Sequence, residues 1–409
     1  MNQFLKKKRN IVAGNGFCSN RKPNIHFYKD KIEQLSQKKK SKPTNSMDCK
    51  VPSNFSFLEN CEETCDFFER IALHSDNNKV KKIFFDQGNC KNIDLCAESV
   101  AAVLLKDLSK EKRIVLRGSY PMDENLKHIV RASGVTKYLK ISNDCPDDMI
   151  IFDMKEGRKT AVKPNISTEK ELQSSKLIEH LNRCLINCGW KLKNSGKEHL
   201  GKIIGEVLDN AECHSKRPLW WINAYLRTIG EKKGECQLVI FNFGRSIYES
   251  MQDLPIDNDL RKEIELLVAE HSKKKFFSQS WDKEVLWTLY SLQEGVSRFS
   301  GSKNSKDRGQ GLPDLIEFFQ QIGKCDGKEP VMALISGNTF IKFDNDYLIS
   351  IKEADGARRR QIAFNKANDL HIPPDSTKVV KLKHFFPGTI CSFKFYIDNK
   401  YLESLKNGK

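Results

Sequence analysis

The sequence predicts an α/β protein with a small strand–helix unit followed by a larger two-layer α/β sandwich. Two observations carry this. Strand and helix patterns alternate within about sixty residues of the N-terminal half, as in a compact α/β domain. From about residue 165, two long helical patterns come first, and then helices interleaved with strands joined by short turns. That order reads as a mostly antiparallel sheet layered with helices.

Residues 1–48 stand apart. They hold twelve Lys/Arg against three Asp/Glu, and so carry much of the chain's net charge of +16. Lys, Asn, Ser and Gln dominate and apolar anchors are few, which predicts a poorly ordered basic arm closed by Lys38–Lys39–Lys40 and Pro43. Such an arm has the charge to meet nucleic acid or an anionic surface, and reads equally as a solvated tail.

The small unit is expected over residues 50–145. NCEETCDFFERIALHS has apolar residues at helical spacing, and KKIFFDQGNCKNID reads as a strand entering a loop. DLCAESVAAVLLKDL follows as an amphipathic helix, RIVLRGSYP as a strand and ENLKHIVRASGV as a helix. Residues 146–165, with three Asp, a Gly and two Pro, read as a charged linker. In the larger unit, residues 165–400, EKELQSSKLIEHLNRCLINCGW and KEHLGKIIGEVLDNAECH are long helices. WWINAYLRTI and CQLVIFNFG are paired strands across GEKKGE. A helical region spans about 247–293, a Gly/Ser/Lys loop precedes a helix from Gly311, and VMALISG, TFIKFD, YLISIK and TICSFKFYI are closing strands.

Composition narrows the function classes. Of the 409 residues, 39% are hydrophobic and 30% charged, enough for sizeable cores under a charged surface. No segment approaches the roughly 18–20 uninterrupted apolar residues of a membrane span. MNQFLKKKRN has no apolar run behind its charges, so no secretory signal is expected and the cytoplasm is the default location. The thirteen cysteines include no C-x-x-C pair. Cys61/Cys65 and Cys184/Cys188 sit four apart in helical stretches, where burial explains them better than metal ligation.

Four segments carry chemistry. In GEVLDNAECH, Glu206 and Asn210 share a helix face one turn apart, and His214 extends it. An Asn oxygen can ligate Mg²⁺, and a carboxylate can orient or deprotonate an attacking water or hydroxyl. In LVIFNFGRSI an apolar strand ends in Asn242-Phe243-Gly244, where a polar side chain can read a base edge and Gly permits close approach. In GSKNSKDRGQGLPDLIEFF, Gly309 and Gly311 precede a helix whose free N–H groups suit an anion, with Lys303 and Arg308 just upstream. In FPGTICSFKFYI, Gly388-Thr389 opens a late strand. Singly, each also reads as ordinary structure: a polar helix face, a strand end, a loop, a strand start.

In succession, however, they resemble the Bergerat-fold motifs of the GHKL superfamily (gyrase, heat-shock chaperone and histidine-kinase-like ATPases). GEVLDNAECH looks like the N-box, FNFG and RGQGL the two glycine boxes, and PGT the terminal strand motif. The resemblance implies ATP and Mg²⁺ as cofactors, Glu206 as catalytic base and Asn210 as magnesium ligand. It places Asn242 where the family normally has an adenine-reading Asp, with Gly244 beside it. Gly309, Gly311 and Leu312 take the phosphate-loop positions, and Thr389 closes the pocket. No phospho-accepting helix precedes the N-box, and His199 falls inside the N-box helix itself. The small unit resembles STAS domains, with Asp94 matching their Asp before the phospho-acceptor, whose own position holds Leu95; Ser99 reads as an ordinary helix residue. Together these imply a bacterial, Mg-dependent ATPase switch whose STAS-like domain docks a protein partner or self-associates. A serine/threonine kinase of the anti-sigma type and a non-catalytic nucleotide-sensing or scaffold module are the alternatives.

Overall fold

The computed structural model describes residues 23–35, 46–75, 80–111, 114–136, 147–159, 167–217, 219–272, 281–296, 311–321, 327–354, 357–400 and 402–403. The N-terminal half forms a three-stranded parallel sheet with helices between its strands. β1 (Ser46–Lys50), β3 (Lys82–Asp86) and β5 (Val115–Ser119) lie in the order β1-β3-β5. They are linked through α2 (Cys61–Ser75) and α3 (Leu95–Glu111), and α4 (Glu124–Ser133) follows. A short parallel pair, β2 (Asn54–Phe55) with β4 (Asn92–Ile93), sits beside them.

The C-terminal half is a five-stranded antiparallel sheet in the order β6-β7-β8-β12-β9: β6 (Met149–Arg158), β7 (Leu219–Gly230), β8 (Lys233–Phe243), β12 (Val379–Asp398) and β9 (Val331–Phe343). The β7–β8 hairpin turns through Glu231-Lys232, with Lys232 at φ 54°. Helices α5 (Glu169–Asn187), α6 (Asn194–His214), α8 (Asp259–Ser272), α9 (Lys283–Tyr290) and α10 (Gly311–Gln321) accompany it, with the single turn α7 (Ile247–Met251) and the side hairpin β10 (Ser350–Ala354) with β11 (Ala357–Gln361).

Side-chain alternation explains why the strand WWINAYL is apolar throughout. Trp220, Ile222, Ala224 and Leu226 pack with α6 on one face, while Trp221 and Tyr225 pack with the N-terminal half on the other. The sheet is therefore buried on both sides, and the expected two layers of the C-terminal half gain a third from the N-terminal unit. α3 lies at the centre of that third layer. Leu95–Leu105 are all buried, so this stretch of the helix is covered on every side, where an amphipathic helix leaves one face to solvent. Asn223 Nδ2 donates to Ser99 Oγ (3.0 Å) and Leu95 N–H to Gln237 Oε1 (2.8 Å), fixing α3 against β7 and β8.

Three expectations are corrected. The basic arm contains α1 (Asn24–Leu35), whose Ile25, Tyr28 and Ile32 form a buried stripe, and Asp107 accepts the N–H groups of Asn24 (2.6 Å) and Ile25 (3.4 Å) at its start. The apolar stripe anchors the helix despite the charge beside it: Lys29 and Lys31 are only partly exposed, and Lys31 Nζ donates to Glu249 Oε1 (2.6 Å). Residues 1–22 and 36–45 lie outside the described residues. The supposed linker contains β6, an edge strand paired with β7, and the small unit begins with β1 before residue 50. The paired cysteines Cys61/Cys65 and Cys184/Cys188 are buried. Among the described residues, no helix is long and apolar enough to cross a membrane.

Glu98, in the first turn of α3, is wholly buried. Gln87 Nε2 donates to its Oε1, while its Oε2 has no partner among the described residues. Burial pushes its carboxyl from the ordinary 4.5 up to about 8, and the Gln87 hydrogen bond only partly opposes this. The folded chain thus keeps a proton that the unfolded chain releases above pH 4.5, and stability falls as pH rises towards 8. Glu98→Gln preserves the shape and removes the titration. It is expected to stabilise the protein by on the order of 3 kcal/mol at pH 8 and far less at pH 5, read by urea unfolding at both values.

Candidate nucleotide site

α6 packs on the sheet through Leu200, Ile203, Ile204, Val207 and Leu208, and this turns Glu206 and Asn210 to the side, towards the N-terminus of α10. The approach is tight. A Cβ on Gly311 would lie 2.4 Å from Glu206 Cβ, so glycine is needed there to let the two helices touch. Leu312 and Pro313 follow in the first turn of α10, where proline's missing N–H costs no helical bond.

Across the cavity, β8 and β12 supply the opposite wall. Asn242 is buried near the end of β8, directly opposite Thr389 of β12. Its Oδ1 accepts the Thr389 N–H (2.9 Å), and its Nδ2 donates to the Ala211 carbonyl of α6 (3.2 Å). Because one partner can only donate and the other only accept, the orientation of the amide is fixed. Thr389 Oγ1 lies 2.9 Å from Ser336 Oγ of β9, which in turn accepts the Ile247 N–H (2.8 Å) at the start of α7. One chain of hydrogen bonds therefore ties α6, β8, β12, β9 and α7 around the cavity. Gly244 stands just outside it: a Cβ there would meet the Ser215 carbonyl oxygen at 2.3 Å.

Six of the residues singled out in the sequence, Glu206, Asn210, Asn242, Gly311, Leu312 and Thr389, line this one cavity. His214 is the last residue of α6. Lys303, Arg308 and Gly309 lie outside the described residues. The cavity also takes in residues the sequence reading passed over: Arg245, Ser246, Ile247, Ser250 and Met251 on one side, Ser291 and Val296 on another. A signal for the first group was present. Ser246 and Glu249 form a capping box at α7, the S-x-x-E pattern directly after FNFG. Arg245 is held at the wall by Asp253 (2.6 and 3.0 Å), and that hydrogen bonding raises its pKa further.

The cavity holds about 110 Å³ and opens to solvent, walled mostly by apolar side chains such as Ile240, Met251 and Leu334. That is less than the roughly 150 Å³ of a cavity that admits a benzene ring, so a ring system seated here extends out through the mouth. Glu206 and Asn210 offer oxygen donors side by side, a set suited to a hard cation.

Asn242 is suited to its two partners in a way aspartate is not. Asn242→Asp would set a carboxylate oxygen against the Ala211 carbonyl in a buried site. The expected loss is about 2 kcal/mol or more, larger at pH 8 than at pH 5, where protonation would restore a donor. Urea unfolding of the variant at both pH values checks it.

No protein-family model, curated protein or solved structure matches this chain, so the chemistry of the site has to be read from its own side chains.

Proposed function

We propose that the chain is an ATP-binding protein of Bergerat type, an Mg-dependent ATPase switch. The observation that supports this most is convergence. Glu206, Asn210, Asn242, Gly311 and Thr389, drawn from four segments across nearly two hundred residues, line one cavity.

In this reading the base enters the apolar part of the cavity. Asn242 Oδ1 keeps one lone pair, and its Nδ2 one hydrogen, for the base edge after serving Thr389 and Ala211. The phosphates extend towards Gly311, where the first N–H groups of α10 and its dipole favour negative charge. Asn210, with Glu206 beside it, would hold Mg²⁺, which supplies charge neutralisation at the phosphates. Glu206 orients and deprotonates the attacking water. The engagement of Asn242 with the protein itself favours a second reading, a nucleotide sensor with relaxed base selectivity. Docking of a partner through the STAS-like N-terminal unit would use its outer surface, where Phe84 and Val115 are exposed, since its inner side is spent on the sheet.

ATP turnover by the purified full chain tests the proposal. Hydrolysis in Mg²⁺ that stops on chelation supports the ATPase. Binding without hydrolysis or phosphotransfer supports the sensor, and neither binding nor turnover removes both.

A further inference from the structure

We propose that a polar cleft between the N-terminal unit and the sheet binds a small zwitterion of the amino-acid class. Its carboxylate would sit on Gln237 and Lys394, and its ammonium on Asp148 and Asp123. The site uses none of the residues of the nucleotide reading.

The cleft holds about 470 Å³. That lies within the roughly 300–1,000 Å³ of small-molecule sites, which often form between domains. Strands β7, β8 and β12 supply its floor, and Lys91, β4 and α4 supply the wall opposite. Polar groups dominate the lining, in contrast to the apolar nucleotide cavity.

Gln237 points to a ligand. It is only 4% exposed, and its Oε1 accepts the Leu95 N–H (2.8 Å). Because that partner can only donate, the amide orientation is fixed and the NH₂ end is left over. Nε2 has no partner among the described residues, and Gln237 lines the cleft. A nearly buried amide with unused hydrogens costs free energy until something accepts them. Lys394 stands directly opposite Gln237 in the β8–β12 register, so the two side chains lie side by side on one face. Lys394 Nζ is 3.4 Å from Glu235 Oε2, but Glu235 Oε1 also takes Arg227 Nη2 (3.1 Å) and the Tyr225 hydroxyl (3.3 Å). One buried carboxylate is thus shared by two cations, and one positive charge goes unmatched. Lys91 adds an exposed cation from the opposite wall. An idle amide beside surplus positive charge suits a carboxylate.

The other carboxylates of the cleft lie towards α4 and β6. Asp148 directly precedes β6, the edge strand, and its Oδ1 is 3.1 Å from His128 Nδ1 of α4. Asp123 caps α4 with Oδ1, which accepts the Leu126 N–H (3.2 Å) and leaves Oδ2 to the cleft. The strand order β6-β7-β8-β12 sets Asp148 three strands from Lys394, roughly 14 Å at the usual strand spacing. The long Lys394 side chain spans part of that distance. Among the described lining residues, Lys91, Arg227 and Lys394 balance Glu235, Asp123 and Asp148. The cleft is therefore neutral as a whole but polarised along its length. A simple anion or cation is drawn by one end and opposed by the other, whereas a zwitterion with several carbons between its charges satisfies both.

Calorimetric titration of the full chain with ε-aminocaproate tests this, with caproate, hexylamine and glycine for comparison. The expected result is one ε-aminocaproate per chain, bound on the order of tenfold or more tightly than the other three. Gln237→Glu keeps an acceptor for the Leu95 N–H but sets a carboxylate beside Lys394, and should weaken ε-aminocaproate on the order of tenfold or more. Asp148→Asn should bring ε-aminocaproate down to the affinity of caproate without weakening caproate itself. Lys91→Gln is an exposed change that leaves the fold alone, and it should still cost several-fold. Lys110→Gln, at the exposed end of α3, should change nothing. Absence of saturable binding, equal affinity for caproate and ε-aminocaproate, or wild-type affinity in both Gln237→Glu and Lys91→Gln overturns the proposal. Asn210→Ala should bind ε-aminocaproate normally, which separates the failure of this site from the failure of the nucleotide reading.

Discussion

Glu206→Gln is expected to cut ATP turnover on the order of a hundredfold or more while leaving ATP affinity within a few-fold. The substitution keeps the side chain's size, so its packing against Gly311 survives. In the proposed ATPase it removes the base, whose contribution is felt in the transition state rather than in the bound ground state. Asn210→Ala should behave differently, because loss of a metal ligand weakens both binding and turnover. Single-turnover hydrolysis and equilibrium binding on both variants give the comparison. A Glu206→Gln protein that hydrolyses ATP at the wild-type rate would remove Glu206 from the chemistry.

The second large effect is expected at Gly388. Its φ is 150°, and a Cβ there would stand 2.0 Å from the Asn242 carbonyl oxygen and 3.0 Å from Phe243 Cα. Those are backbone atoms of the neighbouring strand, so no side chain can swing aside. Gly388→Ala must therefore push β12 from β8 at the residue pair Asn242–Thr389. The expected cost is about 3 kcal/mol or more, combining backbone strain with the collision. The Thr389–Asn242 hydrogen bond should be lost with it, and nucleotide binding should disappear even at temperatures where the variant stays folded. Urea unfolding together with ATP titration checks both parts. A variant of wild-type stability would mean that this strand crossing is looser than the geometry requires.

The helix and strand signals of the C-terminal half were legible because they are periodic and long. α6, the β7–β8 hairpin and the start of α10 at Gly311 all lie where the pattern put them. Glu206, Asn242, Gly311 and Thr389, singled out in four separate segments, line one cavity because strand pairing and helix packing bring those segments together. What escaped has a common physical cause, namely long-range packing. α1 carries only three buried apolar side chains, Ile25, Tyr28 and Ile32, and these matter because α2, α3 and the sheet meet them. β6 is mixed in composition because it is an edge strand, so its charges point to solvent and disguise it as a linker. α3 was recognised as a helix, but its burial on every side depends on a sheet more than a hundred residues later. Asn242 looked like a weakened base reader. Its partners Ala211 and Thr389 give it a structural duty that no local pattern displays.

The most direct test of the proposed nucleotide site is calorimetric titration of Mg·ATP onto the full chain, paired with its melting temperature. Saturable binding at one ATP per chain is expected, with a melting temperature that rises with ligand concentration, because a ligand that binds only the folded state stabilises it. If ATP, ADP and GTP at saturating concentrations all give no heat of binding and leave the melting temperature unmoved, the cavity between α6, β8 and α10 is not a nucleotide site.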